Sequence, residues 1–118
     1  MSKAKAKGTL AETALVDWLR DNGWAHAERR IMHGAKDKGD ILLPVMDFVI
    51  EVKNHKTYAW STWMHETEAE RVNAAATLGV LVVKPRGLGV TRVGDWWACL
   101  PMNQMNLLLK RWRFQADD

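Results

Sequence analysis

Cysteine is almost absent from this chain, which has only Cys99 among its 118 residues. One cysteine cannot form a disulfide framework within the chain, and such low usage is typical of proteins in a reducing compartment. Apolar runs are also short, since none approaches the roughly 20 residues that a transmembrane helix needs. The basic start MSKAKAKG has no hydrophobic segment behind it, so we do not expect a secretory signal peptide. These absences predict a cytoplasmic protein that does not bind to membranes.

Two common ligand motifs are missing as well. The segment KPRGLG, residues 84–89, lacks the P-loop pattern, so no nucleotide cofactor is expected. His26, His33 and His65 lack the spacing of a zinc site. Because no internal repeat or linker is present, we predict a single domain over residues 9–118, preceded by a basic flexible arm over residues 1–8.

Positive charge is in slight excess, with 17 lysines and arginines against 14 acidic residues. The basic residues gather near the start, beside the segment KGDI and around the glycine-containing loop, and such clusters are suited to contact with a polyanion. The alternative is that they are solvated charges that keep the protein soluble. The candidate phosphate contacts are Lys3, Lys5, Lys7, Lys36, Lys38, His55, Lys56, Lys84, Arg86 and Arg92.

Patterns of apolar residues predict eight elements. The first helix is expected to be capped by Thr9, with Glu12 completing a capping box, and to end at Asn22-Gly23. Strands are predicted at residues 24–33, 40–43, 48–53, 78–84 and 95–100. Ser61 is expected to cap a second helix that reaches residue 78, and a last helix is predicted at residues 103–114. The order α-β-β-β-α-β-β-α predicts an α/β fold, with a mixed β-sheet flanked by helices on its faces.

Three charges interrupt the strand-forming segment KGDILLPVMDFVIEVKNHK, residues 38–56. Side chains alternate along a strand, so Glu51 and Lys53 point to one face, about 7 Å apart. A hairpin can bring Asp40 beside Glu51, where the two carboxylates would repel one another unless a cation lies between them. A hard divalent cation such as Mg²⁺ (or Mn²⁺) takes oxygen ligands and meets this need. The sequence therefore predicts a metal site on the central sheet.

These residues resemble the motif of the PD-(D/E)XK nuclease superfamily. The acidic residue of the family corresponds to Asp40 within GDI, and its E-x-K corresponds to Glu51-Val52-Lys53. Glu12 corresponds to a glutamate on the first helix in several branches, including the archaeal-type Holliday junction resolvases. The likeness covers residues 9 to about 84, and the later GDWWACLP segment with the closing helix looks like small actinobacteriophage-type resolvases. One departure is the proline that precedes the acid in the family, because this chain has Gly39 there.

The resemblance implies a restriction-endonuclease-like core and a Mg²⁺-dependent endodeoxyribonuclease, most like a Holliday junction resolvase, that cuts branched DNA. It implies a metal ion held by Asp40, Glu51 and the backbone carbonyl of Val52, with Glu12 as a possible further ligand. Lys53 would orient the attacking water or neutralise the phosphate, and the products would carry 5′-phosphate and 3′-hydroxyl ends. The two-fold symmetry of a junction implies a homodimer, and a phage-encoded protein would act in the host-cell cytoplasm.

Plainer interpretations stay open for each acidic residue. Glu12 has the alternative of a helix cap alone, or of both roles together. Asp40 has the alternative of a turn cap, and Glu51 with Lys53 that of an ion pair on a solvated face. Asp37 and Asp47 compete with Asp40 as the metal-binding acid. For the whole chain, the alternatives are a DNA-binding or recombination-accessory protein without catalysis, and a nuclease for repair nicking or restriction-like cleavage.

Further residues have assignments of their own. Trp60 and Trp63 are candidates for stacking on an exposed base, with the core or a dimer interface as the more frequent location. Trp96, Trp97 and Trp112 are assigned to packing. Glu66 and Glu70 share a face of the second helix and are taken to be solvated, with contact to the metal as the alternative.

Overall fold

The computed structural model describes residues 2–30, 39–44 and 47–117. The helices are α1 (Lys3–Asp21), α2 (Trp60–Asn73) and α3 (Met102–Asp117), and a 3₁₀ helix spans Val90–Asp95. The strands are β1 (Glu28–Arg29), β2 (Ile41–Leu42), β3 (Phe48–Lys53), β4 (Leu78–Val83) and β5 (Trp97–Cys99). The predicted α/β class is confirmed, and so is the order of helices and strands.

The five strands form one mixed sheet in the order β1-β2-β3-β4-β5. All neighbours pair antiparallel except β3 and β4, which run parallel in the centre of the sheet. The connection between two parallel strands must cross over the sheet, and α2 occupies that connection. The predicted mixed sheet is therefore correct.

Helices cover both faces of the sheet. On one face, Leu15 and Val16 of α1 share a core with Ile50, Val52 and Val82 of the central strands. On the other face, Trp63 of α2 packs on Leu81 and Val83. Because side chains alternate along a strand, and because Glu51 pairs with Leu81 and Lys53 with Val83, both charged residues of β3 lie on the α2 face.

Helix α1 begins earlier than the sequence pattern indicates. Its N-cap is Ser2, whose side chain accepts a hydrogen bond of 3.1 Å from the backbone N–H of Lys5. Thr9 and Glu12 lie inside the helix, so the predicted capping box is wrong. Residues 3–8 are helical and not a flexible arm, because lysine and alanine favour helix strongly enough to outweigh the single Gly8.

Helix α2 also has other ends than predicted. It begins at Trp60 behind Ala59, which makes no side-chain cap hydrogen bond, so the assignment of Ser61 as the cap is wrong. It ends at Asn73, whereas the expected stop signal, Gly79, belongs to β4. A Cβ atom at position 79 would lie 3.1 Å from the Cβ of Arg71, so this glycine lets α2 approach the sheet closely.

The outer elements are shorter than predicted, except for α3. Strand β1 has two residues, and residues 31–33 of its predicted range lie outside the described part of the chain. The 3₁₀ helix replaces the first residue of the predicted last strand. Helix α3 extends the predicted range by one residue at its start and three at its end. Among the helices that the structure describes, none is both long enough and apolar enough to span a membrane.

The tryptophans differ in their environments. Trp63 and Trp96 are buried, so packing is confirmed for Trp96. Trp60 and Trp97 are partly exposed, and Trp112 on α3 is 73% exposed. Packing also holds for Trp97, whose ring stacks on Trp60 although 44% of the residue is exposed. The assignment of Trp112 to packing was wrong, because a short run of apolar residues does not show which side of an outer helix is covered.

Candidate active site

Asp40 lies where the chain enters β2, and its backbone is held on both sides. Its N–H donates to the carbonyl of Ile50 at 2.8 Å, and its carbonyl accepts from the N–H of Arg30 at 2.7 Å. The side-chain Oδ2 accepts a hydrogen bond of 2.8 Å from the backbone N–H of Val52. This hydrogen bond fixes the Asp40 carboxylate against β3 at Val52, the residue between Glu51 and Lys53.

Gly39 explains why no proline precedes this acid. Its φ of +93° is inaccessible to proline, whose ring holds φ near −65°. A Cβ atom at this position would lie 2.7 Å from Cγ1 of Val49 and 3.1 Å from the carbonyl oxygen of Ile50. Only glycine therefore allows the approach of the two chain segments that brings Asp40 to β3.

Glu51 is a buried carboxyl group in the middle of β3, with 5% of its surface exposed. Burial raises its pKa to about 8, and a hydrogen bond with Glu70 and the charge of that residue also act to raise it. The hydrogen bond with Asp40 and the charge of Lys53 act in the opposite direction. Glu51 thus lies between the carboxyl groups of Asp40 and Glu70 in a site with little access to water.

Lys53 ends β3 on the same face as Glu51. Its Nζ forms an ion pair of 2.8 Å with Oε2 of Glu66 on α2. Burial lowers the pKa of Lys53, but the hydrogen bond to Glu66 and the charges of Glu51, Glu66 and Asp40 together raise it above its ordinary value. The amine is therefore charged and held beside the acidic residues.

Glu12 reaches Asp40 from α1, on the other side of the sheet. Burial and the charge of Asp40 raise its pKa, while Arg29 lowers it through a hydrogen bond and its charge. The ion pair between Arg29 and Glu12 measures 2.8 Å, and 18% of the Glu12 side chain is exposed. The structure thus brings together the four residues selected from the sequence, namely Glu12, Asp40, Glu51 and Lys53.

Glu70 is a member of the cluster that the sequence analysis assigned to a solvated helix face. It is 5% exposed and interacts with Glu51, so taking it as solvated was wrong. Glu66, by contrast, has 45% of its side chain exposed. The signal for Glu70 was its spacing from Trp63 and Thr67, because residues at i, i+4 and i+7 share one face of a helix and all three are buried.

The competing acid Asp47 lies elsewhere. Its side chain is hydrogen-bonded to the hydroxyl of Thr77, and its carbonyl accepts from the backbone of Thr77 and Leu78. These contacts hold it just before β3, at the end of the strand opposite Lys53. Asp37, the other competitor, lies outside the described residues.

The donors present are of the kind that suits a hard divalent cation. Within residues 2–30, 39–44 and 47–117, no set of three or more His, Cys, Asp or Glu side chains is arranged so that it could hold a metal ion. Mg²⁺, however, is commonly bound through one or two carboxylates and keeps several waters. Asp40 and Glu51, whose carboxyl groups interact, provide that number of carboxylates. The pKa of Glu51 is raised, and an added positive charge there would stabilise the ionised carboxylate.

The candidate phosphate contacts fall into several places. Lys3, Lys5 and Lys7 are exposed on the first turns of α1, and the side chain of Asn54 donates to the Lys7 carbonyl at 3.1 Å, which ties this helix end to the end of β3. His55 lies in the same region. Burial lowers its pKa, and the nearby charges of Lys53 and Lys7 lower it further.

The remaining basic candidates are on loops. Lys56 follows β3 and is exposed, while Lys84 follows β4 and Arg86 lies in the next loop. Arg92 forms an exposed ion pair of 2.7 Å with Asp95. Lys36 and Lys38 lie outside the described residues.

Comparison with known proteins adds no assignment. No protein-family model, no curated protein and no solved structure matches this chain.

Proposed function

We propose that this chain is a metal-dependent endodeoxyribonuclease with a restriction-endonuclease-like core, most similar to Holliday junction resolvases. The observation that supports the proposal best is the meeting of Asp40, Glu51 and Lys53 with Glu12, which arrives from the opposite side of the sheet. Buried carboxylates beside one another lower stability and repel phosphate. A protein that only binds DNA has no use for such a cluster, whereas a metal-dependent nuclease requires one.

Each residue has a distinct role in this proposal. Asp40 and Glu51, with the carbonyl of Val52, would hold Mg²⁺ (or Mn²⁺), and Glu12 offers a further carboxylate. The cation, when bound, supplies Lewis acidity and positive charge at the scissile phosphate. Lys53 carries its proton at neutral pH and donates a hydrogen bond to the phosphate or to the attacking water, while Glu66 keeps its amine in place.

The natural substrate in this proposal is branched DNA, most simply a four-way junction. Resolution of a junction needs two cuts related by a two-fold axis, so the protein would act as a C2 homodimer. Helix α3 supports this view, because a dimer interface would cover the large apolar side chains that it exposes: Met102, Leu107, Leu108, Leu109, Trp112 and Phe114.

A cleavage assay tests the proposed chemistry. End-labelled four-way junction, flap and linear duplex are incubated with the protein in Mg²⁺, in Mn²⁺ and in EDTA. We expect metal-dependent cutting that is strongest on the junction, with ends that a DNA ligase can rejoin because they carry 5′-phosphate. Absence of cutting on all three substrates in both metals, or equal cutting by an Asp40→Asn variant, would contradict the proposal.

Light scattering tests the assembly separately. We expect a particle of twice the 13.5 kDa chain mass, with and without junction DNA. A protein that stays monomeric on the junction would rule out paired cutting. A nicking nuclease for repair or restriction-like cleavage would then explain the same site better.

A second candidate is a DNA-binding or recombination-accessory protein without catalysis. It is supported by the ion pair that engages Lys53 with Glu66, and by the lack of a ready three-residue metal site among the described residues. Isothermal titration with Mg²⁺ distinguishes the two. If the protein is a nuclease, the wild type should bind Mg²⁺ and the Glu51→Gln variant should not. If it is an accessory protein, the wild type and the variant should bind junction DNA equally well, and neither should cut it.

A further inference from the structure

Four aromatic side chains form a cluster beside the candidate active site, and we call this cluster the aromatic platform: Tyr58, Trp60, Trp63 and Trp97. The rings of Trp60 and Trp97 are stacked, with centroids 5.8 Å apart and planes inclined by 25°. Tyr58 meets both of them edge-on, at 5.5 Å from Trp60 and 6.0 Å from Trp97. Trp63 supports the group from below through its contacts with Trp60 and Tyr58.

The platform is built on a buried base but has an open surface. Trp63 is only 5% exposed, whereas Trp60 is 38% and Trp97 is 44% exposed. Two large rings are thus held in fixed positions by their neighbours while keeping part of their surface in water. Such a surface is suited to stacking with another flat ring.

The platform lies close to Lys53. Trp97 pairs with Val83, and Val83 pairs with Lys53, so the three lie in line across the sheet. With strands about 4.8 Å apart, Trp97 is about 10 Å from Lys53 along the backbone. Along α2, Trp60 precedes Glu66, the partner of Lys53, by a rise of about 9 Å. These separations correspond to about three base steps of DNA.

Two basic residues, Arg86 and Lys84, lie beside Tyr58 of the platform. The guanidinium of Arg86 lies 5.3 Å from the centroid of the Tyr58 ring, and the backbone N–H of Arg86 donates to the Tyr58 hydroxyl at 2.8 Å. That hydrogen bond is the main reason that the pKa of Tyr58 is lowered, and the charges of Arg86 and Lys84 contribute further. These cations disfavour a positively charged ligand on the rings, such as a quaternary ammonium group, and favour an aromatic ligand that carries negative charge.

We propose that the aromatic platform binds an unpaired nucleobase of single-stranded DNA, while Arg86 and Lys84 contact the adjoining phosphates. This inference rests on the proposed function for DNA as the ligand. Within branched DNA, it narrows the contact to a nucleotide that is unpaired at the branch point, near the cleaved bond. Stacking on aromatic side chains tolerates any base, because every base has a π-face. The platform therefore selects for single-stranded character and not for sequence.

Binding measured in EDTA tests this proposal independently of cleavage. Fluorescence anisotropy is recorded with a labelled blunt duplex and with the same duplex carrying a four-nucleotide single-stranded tail. We expect the wild-type chain to prefer the tailed duplex, and Trp97→Ala or Trp60→Ala to lose about 5-fold to 100-fold in affinity for it. Affinity for the blunt duplex should change little.

Trp24→Ala is the matched control, since Trp24 is 40% exposed but lies in the turn after α1, away from the platform. It should bind both duplexes as the wild type does, and Trp97→Phe should recover part of the affinity if stacking is the cause. Urea unfolding of each variant establishes that it is folded. Equal loss on both duplexes, no loss in either platform variant, or an equal effect of Trp24→Ala would overturn the proposal. Binding to the tailed duplex without any cleavage in Mg²⁺ would support the role of the platform and contradict the proposed nuclease function.

Discussion

Replacement of Glu51 by glutamine should change how the stability of this protein depends on pH. Burial raises the pKa of Glu51 from its ordinary 4.5 to about 8, and the adjacent Glu70 adds to this effect. The folded chain therefore keeps a proton that the unfolded chain releases. A glutamine has nearly the same shape and cannot ionise, so it imitates the protonated carboxyl at every pH.

The sign and the size follow from proton linkage. Between pH 4.5 and about 8 the folded state binds one proton more than the unfolded state at this site, so the free energy of unfolding falls as the pH rises. The slope is about 1.4 kcal/mol per pH unit, which gives a total of about 5 kcal/mol across the window as an upper bound. Above the folded-state pKa the loss is complete and the contribution stays constant.

Urea unfolding of the wild type and of Glu51→Gln, in EDTA at pH 5.5 and 8.5, measures this effect. At pH 5.5 the folded proteins both carry an uncharged side chain at this position, which makes that pH the control for packing. At pH 8.5 we expect the variant to be the more stable protein by several kcal/mol. Titrating groups that do not contact Glu51, such as Glu12 and His55, are present in both chains and cancel in the difference. Parallel pH profiles for the two proteins would refute the reasoning.

Three further outcomes are expected. Asp40→Asn and Lys53→Met should each lower cleavage at least about 100-fold while the urea midpoint stays near that of the wild type; full activity of either variant would remove that residue from the site. Glu12→Gln should reduce cleavage by more than its effect on stability explains, because its ion pair with Arg29 is partly exposed and such pairs contribute about 1 kcal/mol or less. Arg29→Gln breaks the same ion pair and should stay active. Equal losses of cleavage in the two variants would leave Glu12 with a structural role only. Replacing Lys3, Lys5 and Lys7 by alanine should reduce the slope of log affinity for DNA against log salt by about 0.9 for each phosphate that the variant no longer neutralises. Replacing Arg92, which pairs with Asp95, should reduce the slope less. An affinity that does not depend on salt would contradict the role assigned to these residues.

The central strands could be read from the sequence because their signals are local. Residues 48–53 were predicted as a strand and form β3 with the same bounds. The apolar run that begins at Leu78 forms β4, which is buried along nearly its whole length. Alternation along β3 also placed Glu51 and Lys53 on one face, which the pairing with Leu81 and Val83 bears out.

Helix ends were predicted less well, because several residues can serve as a cap and the choice among them depends on contacts made elsewhere. Thr9 and Ser61 are good caps in isolation. Helix α1 instead begins at Lys3, and the Asn54 side chain donates a hydrogen bond to the carbonyl of Lys7 in its second turn. Helix α2 begins at Trp60, whose ring stacks on Trp97. The Ser2 cap and the helix propensity of the residues after it extend α1, whereas a contact between residues far apart in sequence accompanies the start of α2.

The sequence by itself thus determined the type and order of the elements, the mixed sheet and the face of β3 that carries charge. Only the tertiary structure decided that Glu70 joins Asp40 beside Glu51 and that Glu12 reaches Asp40. Asp40 reaches Val52 because Gly39 allows the two chain segments to approach, while Glu12 and Glu70 arrive on helices that pack on opposite faces of the sheet. Helical periodicity shows which residues share a face, but the rotation of that face toward the sheet is set by the packing of whole side chains. The acidic cluster is therefore a property of the assembled layers and not of any one segment.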